Sequence, residues 1–233
     1  MSRGRVLFVG CGPGAPDLLT LRAVRALEAA DIVIWSPSIL DRQALATHTR
    51  GGTEVVEWPP ATHDDVLRAY ERAVADELLV VRLKGGDPML FGEIEPELSE
   101  VRARGLECEI VPGISALGAS AAAAGYEIAR PGAPLLLVDA ATIADVRDAA
   151  VGVAAYGAGR DPRALQAALL HRGLPGSTPC AVAIEVSRRD ETLVSCPLDE
   201  LAETVEDMGL GLLTLVLAGA SPPEPGARHG RAA

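Results

Sequence analysis

Short apolar runs and amphipathic stretches alternate along most of the chain. Apolar runs of this kind are typical of strands buried on both faces of a parallel sheet, and the amphipathic stretches are typical of helices that cover it. In the first half, the pattern predicts strands over residues 5–9, 32–35, 53–56, 78–83 and 107–111. It predicts helices over residues 17–29, 63–75, 93–104 and 116–124, and a short helix from residue 41.

The pattern restarts after a Pro/Gly cluster, ARPGAP, at residues 129–134, which predicts a linker. Beyond it we expect strands over residues 135–138, 151–155, 181–186, 192–194 and 212–217, and helices over residues 141–149, 161–171 and 198–208. The third and fourth of these strands are expected to pair as a hairpin. The chain is therefore predicted to form two α/β domains, residues 1–130 and 131–220, before a disordered tail at residues 221–233.

Individual residues predict how the helices begin and which side of each helix is buried. Asp17 is well placed to cap the first helix. The apolar stripe of that helix consists of Leu18, Leu21, Val24 and Leu27. The helix over residues 63–75 is expected to turn four residues inward, namely Val66, Ala69, Ala73 and Val74.

Composition and charge narrow the class of function. Hydrophobic residues make up 48% of the chain and aromatic residues 3%, so the core must consist mainly of Ala, Val, Leu and Ile. A formal net charge of −11 without a basic run argues against nucleic acid as a partner, because phosphate neutralisation needs a basic face. An anionic small substrate stays possible where cations converge, and Lys84 is the only lysine in the chain.

The cysteines and histidines predict neither a disulfide framework nor a metal site. No CxxC pair occurs among the four cysteines, which indicates free thiols in a reducing compartment. His48 and His63 have no HxxxH partner. The sequence shows no signal-peptide pattern and no apolar run of about 18 residues, so we expect a cytoplasmic protein that makes no membrane contact.

Three glycine-rich loops follow predicted strands, and the central one, in VVRLKGGDPMLFG at residues 80–92, organises the functional hypothesis. Gly85 and Gly86 remove two side chains at the carboxyl end of a strand, where ligands of open α/β sheets bind. A small molecule is therefore expected to reach backbone N–H and C=O groups directly, beside the carboxylate of Asp87.

The other two loops resemble known motifs without matching them. The first reads GCGPG at residues 10–14, and its spacing differs from the GxGxxG of dinucleotide-binding sites. The second strand ends in Trp35 and Ser36 without the acidic residue that binds a ribose, which disfavours an NAD-dependent oxidoreductase. In the third loop, Leu117 stands where the GxSxG elbow of hydrolases requires glycine.

Three segments together resemble the tetrapyrrole (corrin/porphyrin) methylase family. They are VGCGPGAPDLLTLRAVRALEAADIVIW at residues 9–35, VVRLKGGDPMLFG at 80–92 and EIVPGISALGASAAAAG at 109–125. The resemblance extends over residues 5–219. It implies two α/β domains, each with a mixed or mostly parallel sheet and flanking helices, and an S-adenosylmethionine cleft between them. It also implies a homodimer that methylates a carbon of an anionic tetrapyrrole.

The resemblance also implies which residues contact the cofactor. In the second half these contacts fall near Tyr156, Val186 and Thr214, at the ends of predicted strands. In the three loops of the first half they fall on Pro13, Gly85, Gly86, Asp87, Leu90, Ser115 and Ala116. Methyl transfer from a sulfonium is an in-line displacement, which requires alignment of carbon, methyl and sulfur and needs no metal or covalent nucleophile.

Smaller features of the sequence favour different members of the family. The segment WSPSIL at residues 35–40 is similar to that of precorrin-4 C11-methyltransferases, and it makes Ser36 and Ser38 catalytic candidates. The KGGDP segment is closer to uroporphyrinogen-III methyltransferases, which are the alternative. Lys84 and Arg130 are candidates for binding substrate carboxylates, and Arg82 and Arg22 are further cations to test.

Two other hypotheses stay open. Ribosomal-RNA 2′-O-methylation occurs on the same fold, but the acidic charge weighs against it. A non-catalytic paralogue that kept cofactor binding and lost turnover is suggested by YEIARP at residues 126–131, which departs from the family's Leu-Thr-x-Pro.

Overall fold

The computed structural model describes residues 4–125, 127, 129, 134–145, 152–209 and 213–219. These residues form two compact units, one up to Ser115 and the other from Ala116. This division places residues 116–124 with the second half, whereas the sequence analysis placed them in the first domain. The predicted boundary between residues 130 and 131 stays a prediction, because residues 130–133 lie outside the described part of the chain.

The first unit is a parallel sheet with helices on both faces. Its strands are β1 (Arg5–Gly10), β2 (Ile32–Trp35), β3 (Glu54–Glu57), β4 (Leu79–Lys84) and β5 (Glu107–Val111). Its helices are α1 (Leu21–Ala29), α2 (Arg42–His48), α3 (His63–Asp76) and α4 (Glu95–Ala103). The strand order is β3-β2-β4-β1-β5, and every pairing is parallel. All carboxyl ends therefore lie along one edge of the sheet.

Alternate residues of the strands bury opposite faces of this sheet. Val6 and Phe8 of β1 pack with α3 and α4 in one cluster. Leu7 and Val9 of the same strand pack with α1 and α2 in another. The three inner strands, β2, β4 and β1, are covered on both faces, and they therefore have mostly apolar sequences.

The second unit contains a mixed sheet. Its helices are α5 (Ala116–Ala124), α6 (Pro162–His171) and α7 (Leu201–Asp207). Its strands are β6 (Leu135–Asp139), β7 (Gly152–Tyr156), β8 (Pro179–Ile184), β9 (Thr192–Pro197) and β10 (Thr214–Ala218). The order is β6-β7-β10-β8-β9, with β6 and β7 parallel and the other pairs antiparallel. The predicted fold class and the hairpin of β8 and β9 are confirmed.

Helix α1 begins later than predicted. Pro16–Leu18 forms a separate 3₁₀ turn, and the N-cap is Thr20, whose side chain accepts a hydrogen bond from the backbone N–H of Ala23 at 3.1 Å. The prediction that Asp17 caps this helix was wrong. The buried residues of α1 are Ala23, Ala26 and Leu27, and Leu21 of the predicted apolar stripe is 75% exposed.

Two further details differ from the predictions. Val74 is exposed on α3, and Tyr70 is buried in its place. The helix predicted over residues 141–149 is a 3₁₀ turn, Ala140–Asp145, where the structure describes it, and residues 146–150 lie outside the described residues. The predicted disordered tail at residues 221–233 also lies outside them.

Candidate functional site

The candidate site of the first unit lies at the carboxyl edge of its sheet, where three glycine loops meet. The loops after β1 and β4 form a short antiparallel bridge between Gly12 and Gly86. The Gly86 N–H donates to the Gly12 carbonyl at 2.7 Å, and the Gly12 N–H donates to the Gly86 carbonyl at 3.3 Å. Gly86 has a φ of 62°, a left-handed conformation that favours glycine.

The loop after β5 packs onto the same point. A Cβ on Gly113 would lie 2.1 Å from the Gly86 carbonyl oxygen, and one on Gly10 would lie 2.6 Å from that oxygen. Contacts below 3.0 Å with backbone cannot be relieved by a side-chain movement. These glycines are therefore required by the packing of the three loops against one another.

This packing corrects the interpretation of the two glycines after β4. The N–H and C=O groups of Gly86 are both bonded to Gly12, so they do not stand open for a ligand as expected. Gly85 is exposed, and a Cβ there would meet Ile39 Cγ2 at 3.2 Å. Of the two glycines, only Gly85 has the exposed backbone that the sequence analysis expected.

Asp87 organises the turn that follows. Its Oδ1 accepts a hydrogen bond from the Met89 N–H at 2.8 Å, and its carbonyl accepts one from the Leu90 N–H at 3.1 Å. Beyond this turn, Phe91 and Glu93 have φ angles of 56° and 48°, which are strained for residues with a side chain.

The remaining predicted loop contacts of the first unit lie on the same edge. Pro13 and Ser115 are half-buried, and each lies one or two residues beyond one of the packed glycines. Leu90 is exposed in the turn that Asp87 forms. Ala116 begins the second unit as the first residue of α5.

The candidate catalytic serines follow β2 at this edge. The Ser36 and Ser38 hydroxyl oxygens lie 2.8 Å apart, and the Ser38 N–H donates to Ser36 Oγ at 3.3 Å. The buried thiol of Cys11 connects their segment to the glycine loops, since its Sγ lies 3.6 Å from the Ile39 carbonyl and 3.1 Å from that of Lys84. Two hydroxyls can orient a polar group, but neither is a strong proton acceptor at neutral pH.

Lys84 is less available to a substrate than predicted. Its side chain is 15% exposed, and its ammonium group pairs with the Glu97 carboxylate of α4. Burial lowers the pKa of Lys84, although the hydrogen bond and charge of Glu97 oppose that effect. Its proposed role in binding substrate therefore requires competition with an ion pair already in place.

Arg82 binds the same carboxylate. Its Nε lies 2.9 Å from Glu97 Oε2, and its guanidinium stands over the Trp58 ring at 5.9 Å from the centroid. Burial by itself would raise the pKa of Glu97, but Arg82 and then Lys84 outweigh it and lower that pKa. Sequence analysis missed Glu97, although Arg82 and Lys84 are two cations on one face of a buried strand, and buried charges are usually paired.

Of the other proposed cations, Arg22 is exposed on α1, and Arg130 lies outside the described residues.

In the second unit, sheet pairing gathers the predicted contacts at one edge. Tyr156 ends β7 and is paired with Leu215, and Thr214 begins β10 opposite Ile184, the last residue of β8. Val186 follows two residues later and is buried. The residues on either side of it, Glu185 and Ser187, have φ angles of 50° and 64°. Strained backbone of this kind concentrates at functional loops.

The described residues hold no group of three or more His, Cys, Asp or Glu side chains arranged to bind a metal ion. None of the described helices combines the length and the apolar character that crossing a membrane requires.

Comparison with known proteins identifies the family of this chain. The family model for tetrapyrrole (corrin/porphyrin) methylases matches residues 5–202. The chain is 30% identical to the precorrin-4 C(11)-methyltransferase of Mycobacterium tuberculosis, over 97% of this chain and 98% of that protein. It is 31% identical to the siroheme synthase of Methylococcus capsulatus over 93% of this chain, but it spans only 49% of that protein.

One solved structure is similar to this chain in both fold and sequence. The uroporphyrin-III C-methyltransferase from Thermus thermophilus, complexed with S-adenyl homocysteine, superposes with a TM-score of 0.74 at 29% identity. The superposition covers 93% of this chain and 92% of that one.

Proposed function

The chain belongs to the tetrapyrrole (corrin/porphyrin) methylase family and is an S-adenosylmethionine-dependent methyltransferase, and we propose that it methylates carbon 11 of precorrin-4. The observation that carries the choice of substrate is the segment WSPSIL at residues 35–40, which is similar to that of precorrin-4 C11-methyltransferases. The match to a precorrin-4 C(11)-methyltransferase over 97% of this chain and 98% of that protein supports the same choice. Coverage alone does not separate the two activities, because the uroporphyrin-III C-methyltransferase is matched over 92% of its length.

The residues at the edge of the first sheet fit the proposed cofactor. Asp87 offers a carboxylate that attracts a cationic sulfonium or amine, and Gly85 offers exposed backbone. Leu90 offers exposed apolar surface for a purine ring. When bound, S-adenosylmethionine supplies an electrophilic methyl group, so the protein has to bind and align its partner.

The apolar residues after Asp87 favour a large, flat substrate. Met89 is 61% exposed and Phe91 45%, and together with Pro88 and Ile94 they line a cavity of about 400 Å³. Contiguous exposed apolar residues often mark a ligand-binding groove or an interaction site. We assign this surface to one face of the macrocycle.

The serine hydroxyls after β2 complete the proposal. Ser36 and Ser38 are bonded to each other, so they can donate to and accept from one polar group of the substrate without either becoming charged. Their role is to orient the macrocycle, and the proton released by methylation passes to solvent. The cations assigned to substrate carboxylates remain Lys84 and Arg130.

The proposal includes a cytoplasmic homodimer without a nucleic-acid or membrane partner. Light scattering coupled to gel filtration would measure the assembly, and a monomer at micromolar concentration would contradict that part. The acidic charge of −11 supports the exclusion of RNA as substrate.

The first experiment is calorimetric titration of the purified protein with S-adenosylhomocysteine. Micromolar binding is expected. Asp87→Asn keeps the hydrogen-bond acceptor for the Met89 N–H but removes the charge, so weaker binding by this variant assigns the carboxylate to the cofactor. Glu71→Gln, which removes one charge from helix α3, is the matched control. No binding by the wild type would contradict the methyltransferase function.

The second experiment identifies the substrate. The protein is incubated with S-adenosylmethionine carrying a labelled methyl group and with either precorrin-4 or uroporphyrinogen III. Label in the precorrin-4 product alone supports the proposal, and label in the uroporphyrinogen product alone supports the alternative. Cofactor binding without turnover on either tetrapyrrole would favour the non-catalytic paralogue.

A further inference from the structure

The loop between β4 and α4 is held at both ends by one carboxylate. Lys84 is the residue immediately before the loop at residues 85–94, and Glu97 lies in the first turn of the helix that follows it. The ion pair between them therefore closes the base of the loop. Arg82, two residues earlier on the same face of β4, binds the other oxygen of Glu97 at 2.9 Å.

The same loop contains backbone that needs external support. Phe91 and Glu93 lie in the left-handed region of φ, which is unfavourable for residues with a side chain. Met89 is 61% exposed and Phe91 45%, so neither side chain at the tip of the loop is fully packed. Such a conformation persists only when its surroundings determine it.

Lys84 also connects this base to the rest of the site. Its carbonyl accepts a hydrogen bond from the Cys11 N–H at 2.9 Å, and the Cys11 Sγ lies 3.1 Å from the same oxygen. Movement of Lys84 would therefore disturb the loop after β1 as well as the loop after β4. A residue that holds the Lys84 side chain sets the position of both loops.

The low solvent exposure of Lys84 and Glu97 strengthens the ion pair between them. Lys84 and Glu97 are 15% and 21% exposed, so solvent screens their charges much less than on an open surface. Removal of one partner from such a group leaves an uncompensated charge.

We propose that Glu97 is a positioning residue for methyl transfer, because its ion pairs with Lys84 and Arg82 hold the loop at residues 85–94 in the conformation that binds cofactor. The inference rests on the proposed function. It extends that function to a residue that we place outside direct contact with cofactor and substrate. Glu97 acts through Lys84 on the loop that carries Asp87 and Leu90.

The test compares Glu97→Gln with Glu100→Gln. Glu100 is on the same helix, has a similar exposure of 25%, and pairs with His63 and Arg104 rather than with β4. A general loss of helix stability would affect both variants, whereas a loss of loop positioning affects only the first. Lys84→Met is the second variant, because it opens the base of the loop and leaves the pair of Arg82 and Glu97 intact.

The readouts are the Kd for S-adenosylhomocysteine at a temperature well below unfolding, and hydrogen exchange of the loop amides. We expect Glu97→Gln and Lys84→Met each to weaken binding at least tenfold, with faster exchange of the amides of residues 89–93. The double variant should lose no more than the larger single loss, because both changes break the same support. In turnover, KM for S-adenosylmethionine should rise more than kcat falls.

Glu100→Gln should bind within twofold of the wild type. Equal binding by Glu97→Gln and the wild type, or unchanged exchange in the loop, would overturn the positioning role while leaving the proposed function in place. No binding by the wild-type protein would overturn the proposed function and the positioning role together.

Discussion

A Cβ at Gly113 would lie 2.1 Å from the Gly86 carbonyl and 2.9 Å from the Gly10 carbonyl carbon, so the meeting point of the three loops has no room for a side chain. Overpacking of well-packed sites typically costs about 1–3 kcal/mol. We expect Gly113→Ala to destabilise the protein by at least the upper part of that range and to weaken cofactor binding. Thermal unfolding and calorimetry would measure both effects.

Gly118→Ala is the matched control. Gly118 lies inside helix α5, and a Cβ there would meet nothing within 4 Å. Alanine in a helix interior is favoured over glycine by roughly 0.5–1 kcal/mol, so this variant should be slightly stabilised. Equal effects of the two substitutions would show that loop packing does not determine the need for glycine at position 113.

A second prediction at this scale concerns a thiol of the second unit. Burial, with a smaller effect of Cys196, raises the pKa of Cys180 from an ordinary 9.0 to about 12. Between these values the unfolded chain binds fewer protons than the folded protein, so stability should fall as the pH rises, by about 1.4 kcal/mol per pH unit. Below pH 9 the contribution is fully present.

Urea unfolding gives the free energy of unfolding of the wild type and of Cys180→Ala, each at a pH of about 8 and again at about 10.5. The variant should lose less stability between the two conditions than the wild type. Cys108→Ala, which removes a thiol from the first unit, checks that the effect belongs to Cys180. Identical losses in the wild type and Cys180→Ala would contradict the prediction.

At the scale of elements, helix α3 shows how local chemistry determines a boundary. Thr62 and Asp65 form a capping box, in which Thr62 Oγ1 accepts from the Asp65 N–H and Asp65 Oδ2 accepts from the Thr62 N–H at 2.7 Å. The hydrogen bonds from Thr62, followed by that from Arg68, lower the pKa of Asp65 to about 2. The helix accordingly begins at His63, as the sequence predicts.

Thr62→Ala should destabilise the protein by about 1 kcal/mol, the usual consequence of losing an N-cap. Thr62→Ser keeps the hydroxyl and should behave as the wild type. Since the pKa of Asp65 is depressed, the cap contributes above an ordinary value of 3.8 and is lost as the pH falls through about 2. The difference in free energy of unfolding between the wild type and Thr62→Ala, measured with urea, should shrink over that pH interval. A difference that stays constant would contradict the role of Asp65 in the cap.

Elements whose signals compete were predicted less well. Asp17 and Thr20 are both acceptable N-cap residues for α1 by residue type. In the structure Pro16–Leu18 forms a separate turn, Thr20 caps α1, and the buried residues of α1 are Ala23, Ala26 and Leu27. One-dimensional periodicity cannot separate the two starts, because they differ by about one helical turn.

For the whole molecule, the net charge determines how fast a charged substrate approaches. The chain carries a formal charge of −11, and the proposed substrate is an anion. Lys84 and Arg82, the described cations next to the loop after β4, are both paired with Glu97. Long-range repulsion should therefore slow the approach of substrate at low salt.

We expect kcat/KM for the tetrapyrrole to rise between about 0.01 M and 0.15 M salt, as the screening length falls from roughly 30 Å to 8 Å. The Kd of S-adenosylhomocysteine, which has no net charge near neutral pH, is the control and should change less than twofold. A fall in kcat/KM with salt would instead indicate that cations steer the substrate to the site, with Arg130 as the first residue to test.

The sequence by itself determined the order and type of most elements, the hairpin of β8 and β9, and the three loops that carry the family pattern. These features depend on interactions between near neighbours, such as periodic burial, caps and turn residues. That Gly86 would be bonded to Gly12 and not left open to a ligand did not follow, because the bond joins residues that are distant in sequence.

Only the tertiary structure decided which distant residues meet. It paired Lys84 and Arg82 with Glu97, and it placed Tyr156 and Thr214 at one edge because β10 runs antiparallel to β7. Strand order and register are set by the packing of a whole sheet, and a local pattern contains no record of them. The sequence therefore predicted a set of residues for the candidate site, and it did not predict the ion pairs that hold the loop in place.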